Sequence, residues 1–232
     1  MSLFESGDWV NFDWIIFLRR LIVRVPCILF ALGFHEWAHA WISIKTGDDT
    51  SKLLGRYTLN PIKHLDPIGF PLFLIYGFGW SRPFPIHIAR FSQKRRDFCL
   101  AVITGPMMNL LLALISGLIF YGFRINRFSF FFNPSAIEGN FLVMYFADVL
   151  GHFVLVNLTV FFINWLPIPP LDASRLFMLF STSRYMKWVI RFQVYGLLTL
   201  LVLVISGIMK QMMDPVLQYF QELIMQLSQL FR

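Results

Sequence analysis

Long apolar runs alternate along this chain with short polar and basic stretches. Four runs, over residues 21–44, 98–123, 141–166 and 188–209, reach the length of about 20 residues that a helix needs to cross a bilayer core. A fifth, over 67–80, is shorter and carries Pro71, Gly77 and Gly79, which suits a re-entrant or interfacial segment. Residues 216–231 alternate Leu, Ile and Phe with Gln at helical spacing, as expected of a helix on the membrane surface or against the bundle. The pattern predicts an all-α polytopic membrane protein with about four full transmembrane helices and one short re-entrant or interfacial segment, in a single integral-membrane domain over 1–232.

Composition supports lipid as the main solvent. Hydrophobic residues make up 57% of the chain and charged residues 14%, whereas soluble domains run near about 25% charged. A chain of 232 residues with four crossings leaves no room for a sizeable soluble domain. The formal charge of +7 reads as loop charge that sets orientation. No basic run interleaved with aromatics argues for nucleic acid, so no nucleic-acid partner is expected. Cys27 and Cys99 lie far apart in apolar surroundings and read as packing residues. Glu5, Asp8 and Asp13 stand where a signal peptide would be positive, and no cleaved leader is expected.

The basic residues orient the bundle. Lys45, Lys52, Arg56, Lys63, Arg82, Arg90, Lys94, Arg95 and Arg96 lie between the first two full spans, and Arg175, Arg184 and Lys187 between the last two. Only Arg124 and Arg127 lie between the second and third. The positive-inside rule places the two richer loops in the cytoplasm and the N-terminus outside. Arg19, Arg20 and Arg24 run against this, which suggests a separate interfacial or re-entrant helix over 9–20.

The chemistry centres on His35-Glu36-Trp37-Ala38-His39, an H-E-x-x-H motif. On a helix its two histidines share one face, one turn apart, and can reach one ion. Glu36 is rotated about 100° from His35, placed to act on a water without ligating. His35 lies roughly 21 Å along the helix from Leu21, so three ionisable groups sit at membrane depth, where they are costly and usually functional. The competing reading is a hydrogen-bonded His–Glu–His cluster that holds helices together.

Catalytic zinc commonly takes three protein ligands and leaves a position open. Candidates for the third are few. Glu138 and Asp148 lie towards the outer side, and Asp66 and Asp97 at the cytoplasmic edge. Asp172 follows Pro167-Ile168-Pro169-Pro170-Leu171, whose prolines must stop the third full helix. Two readings stay open for Asp172 on these residues alone: a ligand at a helix break, or the N-cap of a helix over 173–180.

Beyond the metal motif, four further segments occur in order: Gly47-Asp48 through Gly55-Arg56-Tyr57-Thr58-Leu59-Asn60-Pro61 and His64-Leu65-Asp66-Pro67-Ile68-Gly69; Gly79-Trp80-Ser81-Arg82-Pro83-Phe84-Pro85; Gly105-Pro106-Met107-Met108-Asn109; and Asn164-Trp165-Leu166-Pro167-Ile168-Pro169-Pro170-Leu171-Asp172. Together they resemble the site-2 protease family of intramembrane zinc metalloproteases, in its compact bacterial branch without a PDZ domain. The resemblance covers about residues 33–175. It implies one Zn2+ held by His35, His39 and Asp172, with Glu36 as general base. It also implies that Asn164 holds the substrate backbone and that Asn109, with Gly105, supports helix packing. Ala173 departs from the pattern, standing where the family usually has a glycine, which permits φ > 0 or close backbone approach.

The function so implied is hydrolysis of peptide bonds within or beside transmembrane segments of membrane proteins. The partners would be a transmembrane substrate and membrane lipid, and the location the bacterial inner membrane, with the site nearer the cytoplasm. Residues 80–91, with Pro83 and Pro85, could add a strand to an unwound substrate. Two alternatives are a non-catalytic membrane binding protein that keeps the fold, and a metal transporter, which would need ligands repeated along a path. His64 and His87 read as loop residues, and Asp148 with His152 as a local hydrogen bond one turn apart.

Overall fold

The computed structural model describes residues 14–122, 141–180 and 195–229. Its helices are α1 (Trp14–Lys45), α2 (Thr50–Leu53), α3 (Gly69–Tyr76), α4 (Lys94–Gly122), α5 (Phe141–Ile163), α6 (Asp172–Arg175), α7 (Tyr195–Ile205) and α8 (Ile208–Gln229). Among the described residues there is no strand, only an isolated bridge between Leu65 and Ser81. The fold is that of an all-α membrane protein. Among the described residues two helix stretches are long and apolar enough to cross a bilayer, Lys94–Tyr121 and Tyr145–Ile163, and α7 with α8 forms a third candidate bent by 73°. The α1 helix is not among them; it carries Arg19, Arg20 and Arg24 together with the polar His35, Glu36 and His39.

At 32 residues α1 is about 48 Å long, well beyond a hydrocarbon core of about 30 Å. This length corrects the expectation of a separate helix over 9–20: from Trp14 onward, Arg19 and Arg20 belong to the same helix as the metal motif. Residues 9–13 of that segment lie outside the described residues. The surplus length lets the exposed Arg19 stand clear of the apolar slab without a break in the backbone. Residues 67–80 contain α3, which at 8 residues is too short to cross. It ends at Gly77, whose φ of 79° supplies the left-handed cap.

The core is a three-helix contact of α1, α4 and α5, with α8 covering a further face of α4. Cys27, Ile28, Ala31 and Leu32 of α1 meet Val156 and Val160 of α5 in one cluster, and Ala113, Leu158, Met213, Leu217 and Ile224 join α4, α5 and α8 in another. Of the two readings of the C-terminal tail, the structure shows the second: its described residues are part of α8, which begins well before residue 216 and packs on the bundle. The first part of the expected fourth span, residues 188–194, lies outside the described residues. Its remainder is α7, which stops at Gly207, where a φ of 77° turns the chain into α8.

The third span ends where its sequence requires. After Ile163 the backbone turns through Asn164–Leu166, the prolines follow, and the chain re-enters a helical turn at Asp172. That return places Asp172 against α1 and α4.

Candidate metal centre

His35 and His39 project from one face of α1, with their Nε2 atoms 3.0 Å apart. Both face the carboxylate of Asp172: its Oδ2 lies 2.9 Å from Nε2 of His35 and 3.0 Å from Nε2 of His39. All three residues are buried. Among the described residues they are the one group of three or more His, Cys, Asp or Glu arranged to hold a metal ion.

The rear hydrogen bonds decide which atoms face the centre. His39 Nδ1 lies 2.6 Å from the carbonyl oxygen of Ala101 in α4, which only accepts, so Nδ1 carries the proton and donates. His35 Nδ1 lies 2.6 Å from Oδ1 of Asn109. The Asn109 amide cannot be turned around, because its Nδ2 donates to the carbonyl of Ala31 at 3.1 Å and to Oδ1 of Asn157 at 2.8 Å. His35 therefore also donates from Nδ1. Two Nε2 lone pairs and a carboxylate oxygen converge within 3.0 Å, all three of them electron-pair donors. Such a set repels itself unless a cation sits among its members, and imidazole with carboxylate suits zinc. The residues present fit a zinc ion.

Gly105 gives the set its room. A Cβ on this α4 residue would lie 2.0 Å from Nε2 of His39, so any side chain would fill the space in which the donors meet. Asp172 is fixed from the other side. Arg175, one helical turn on, has its Nε 3.8 Å from Oδ1 and donates from Nη1 to the carbonyl of Phe84 at 3.0 Å. Its guanidinium lies 4.3 Å from the centroid of the Phe84 ring, and that ring stacks on His39 at 4.2 Å. The N-cap reading of Asp172 does not hold: α6 begins at Asp172 itself after Leu171, and no side chain caps it. Ala173 has ordinary helical backbone and donates its N–H to the carbonyl of Asn164 at 3.0 Å, so the missing glycine does not displace Asp172.

In sequence the chain is 35% identical over 207 residues to a protein of Bacillus subtilis (strain 168) named "Putative zinc metalloprotease YwhC", covering 88% of this chain and 89% of that one. It belongs to that family of zinc metalloproteases. No protein-family model matches it, and no solved structure does.

The remaining residues of this metalloprotease-family site fall into place around the donors. Glu36 is buried; its Oε1 accepts a 2.5 Å hydrogen bond from Ser81 Oγ, and its Oε2 has no partner among the described residues. Asn164 donates from Nδ2 to the carbonyl of Val160 at 2.9 Å, with Oδ1 3.5 Å from the N–H of Asp172. It also lines a small, open pocket with Asp172, Ala173, Val102, Ile103 and Pro106. Asn109, expected to support packing, bonds His35 directly.

Other candidates stay apart. Asp66 caps α3 through its Oδ1, which accepts from the N–H groups of Ile68 and Gly69. Asp97 accepts from the N–H of Gln93, and His152 Nδ1 donates to the backbone carbonyl of Asp148 at 2.9 Å. Glu138 lies outside the described residues. His64 donates from Nε2 to the carbonyl of Thr58 at 2.8 Å; its burial pulls its pKa below the ordinary histidine value.

Sequence reasoning missed Ser81, Phe84, Asn157 and Arg175 at this site. Arg175 had a signal, being three residues after Asp172 on a helical turn. Asn157 had one too, as a polar side chain at membrane depth. Ser81 and Phe84 lie in the segment 79–85 that carries part of the family resemblance, but no local pattern says that this connector brings them to the donors.

Proposed function

We propose that this chain is an intramembrane zinc metalloprotease of the site-2 type. It would cleave peptide bonds within or next to transmembrane segments of other membrane proteins. The observation that carries this reading is the convergence of His35 Nε2, His39 Nε2 and Asp172 Oδ2, with both Nδ1 protons committed elsewhere, beside a buried Glu36. A cluster serving only to join helices would place a donor between these atoms. A metal transporter would repeat its ligands along a path, and the described residues hold one such group.

In this reading His35, His39 and Asp172 hold one zinc ion. Bound there, zinc would lower the pKa of water to about 7 and polarise the scissile carbonyl. Glu36 is the general base and then the general acid. Ser81 holds Oε1, which leaves Oε2 to take a proton from the attacking water and return it to the departing amine. Asn164, on the wall of the pocket beside Asp172, orients the substrate backbone. The donors belong to α1 and to the break after α5, so a substrate reaching them arrives from the bilayer and must unwind there to free its carbonyls. Extended backbone near Ser81 and Arg82, which already pairs with Leu65 and His64, offers an edge to the unwound stretch. The positive loops support a site nearer the cytoplasm, and the resemblance to the bacterial branch supports a bacterial inner membrane.

The test is zinc content together with cleavage. Purified wild type in mild detergent should carry one zinc per chain and His35→Ala none. In reconstituted vesicles the wild type should cut a single-span substrate whose helix is weakened by Asn and Gly. Glu36→Gln should keep zinc and lose about 10²–10⁴-fold in rate. Folded wild type without zinc, or a Glu36→Gln variant as active as wild type, would overturn the proposal.

A further inference from the structure

Behind His35 lies a chain of amides that crosses three helices. The carbonyl of Phe153 in α5 accepts from Nδ2 of Asn157 at 2.8 Å. Oδ1 of Asn157 accepts from Nδ2 of Asn109 in α4 at 2.8 Å, and Oδ1 of Asn109 accepts from Nδ1 of His35 in α1 at 2.6 Å. Asn157 and Asn109 are fully buried, each at 0% exposure. In such a place an amide finds no water to accept in place of its partner, so the direction of every bond follows from its neighbour. The Phe153 carbonyl can only accept, which turns the Asn157 amide. That amide, together with the carbonyl of Ala31 that accepts from the same Nδ2 at 3.1 Å, turns Asn109, and Asn109 then presents an oxygen to His35.

We infer that Asn157 is a positioning residue for the metal centre: through Asn109 it fixes the ring orientation of His35 and directs the Nε2 lone pair to the ion. This rests on the reading of His35 as a zinc ligand. Asn157 touches neither the histidines nor Asp172 in any hydrogen bond described; its effect passes through a second side chain. Outer partners of metal-bound histidine commonly govern affinity by about 10–100-fold.

The experiment is zinc affinity, measured by competition with a chromophoric chelator, on detergent-purified wild type and Asn157 variants, with the melting temperature recorded alongside. Asn157→Leu removes both amide groups. Asn157→Ala removes them without steric demand and repeats the test should the leucine variant not fold. Both should bind zinc about 10–100-fold more weakly than wild type. Asn157→Asp keeps the oxygen that accepts from Asn109 but buries a carboxylate. It should bind zinc within a few-fold of wild type while melting lower. A residue needed only for folding would give the reverse order, with aspartate the worst in both measurements. Wild-type affinity in the alanine and leucine variants, or aspartate as poor a zinc binder as alanine, would overturn the inference and leave the metalloprotease reading standing. Absence of zinc from folded wild type would instead defeat that reading itself.

Discussion

Gly105 in α4 and His39 in α1 approach so closely that a Cβ on the glycine would sit 2.0 Å from Nε2 of the imidazole. The neighbouring carbonyl of Ala101, on the same helix, holds the other ring nitrogen. One face of α4 therefore grips His39 and clears the space in front of it. Gly105→Ala should push the ring away from Asp172 and His35. Overpacking of this kind costs about 1–3 kcal/mol, so the chain should still fold. The expected outcome is a folded protein with less than about a tenth of the wild-type zinc affinity, read by metal analysis after a chelator wash. Full zinc occupancy after the same wash would show that α4 can yield.

Ser81 and Glu36 give a second test. The hydroxyl holds Oε1 of the carboxylate at 2.5 Å and leaves Oε2 for the water. A hydrogen bond to a charged group contributes about 1.5–3 kcal/mol. Ser81→Ala should therefore lower kcat by about 10–100-fold with zinc content unchanged and KM altered little. Ser81→Thr keeps the hydroxyl and should recover most of the rate. A fall in zinc content in the alanine variant would place Ser81 in the structure of the centre instead of in the control of the base.

Much of this site is legible from His35, Glu36 and His39, because a helix turns their spacing directly into a shared face. Asp172 is legible only in part. Prolines announce a break, but nothing local says that the chain beyond it folds back on α1. The Phe84–Arg175 contact and the Ser81 bond depend on a connector whose path is set by tertiary packing, so no periodicity reports them. For the fold, the apolar runs of α4 and α5 gave their type and approximate ends. The ends of α1 and α8 were harder to read: α1 carries arginines through its first turns, and Pro215 lies inside α8 where a proline suggests a boundary.

Arg175 should prove sensitive even to a conservative change. Its planar guanidinium faces the Phe84 ring at 4.3 Å and donates to the Phe84 carbonyl, while its Nε faces Asp172. Lysine has one compact charge and cannot do all three. Arg175→Lys should weaken zinc binding by about tenfold through loss of the Asp172 orientation, and Arg175→Met by more. Chelator competition checks both. An unchanged affinity in the methionine variant would mean that the break after α5 holds Asp172 without help.

His64 supplies a dependence on pH. It is buried in the loop, and desolvation outweighs both its hydrogen bond to Thr58 and the pull of Glu36, so its folded pKa is depressed. In the unfolded chain a histidine titrates near about 6.5. Between the folded value and about 6.5 the unfolded state therefore binds more protons than the folded state, and stability falls as pH drops through this window. Above it both states are neutral, and the loop keeps its full stability. The melting temperature in detergent should be flat from about pH 8 to 7 and then decline towards pH 5. His64→Asn has no ionising group and should flatten part of that decline. An equally steep decline in the variant would assign the acid sensitivity to other groups.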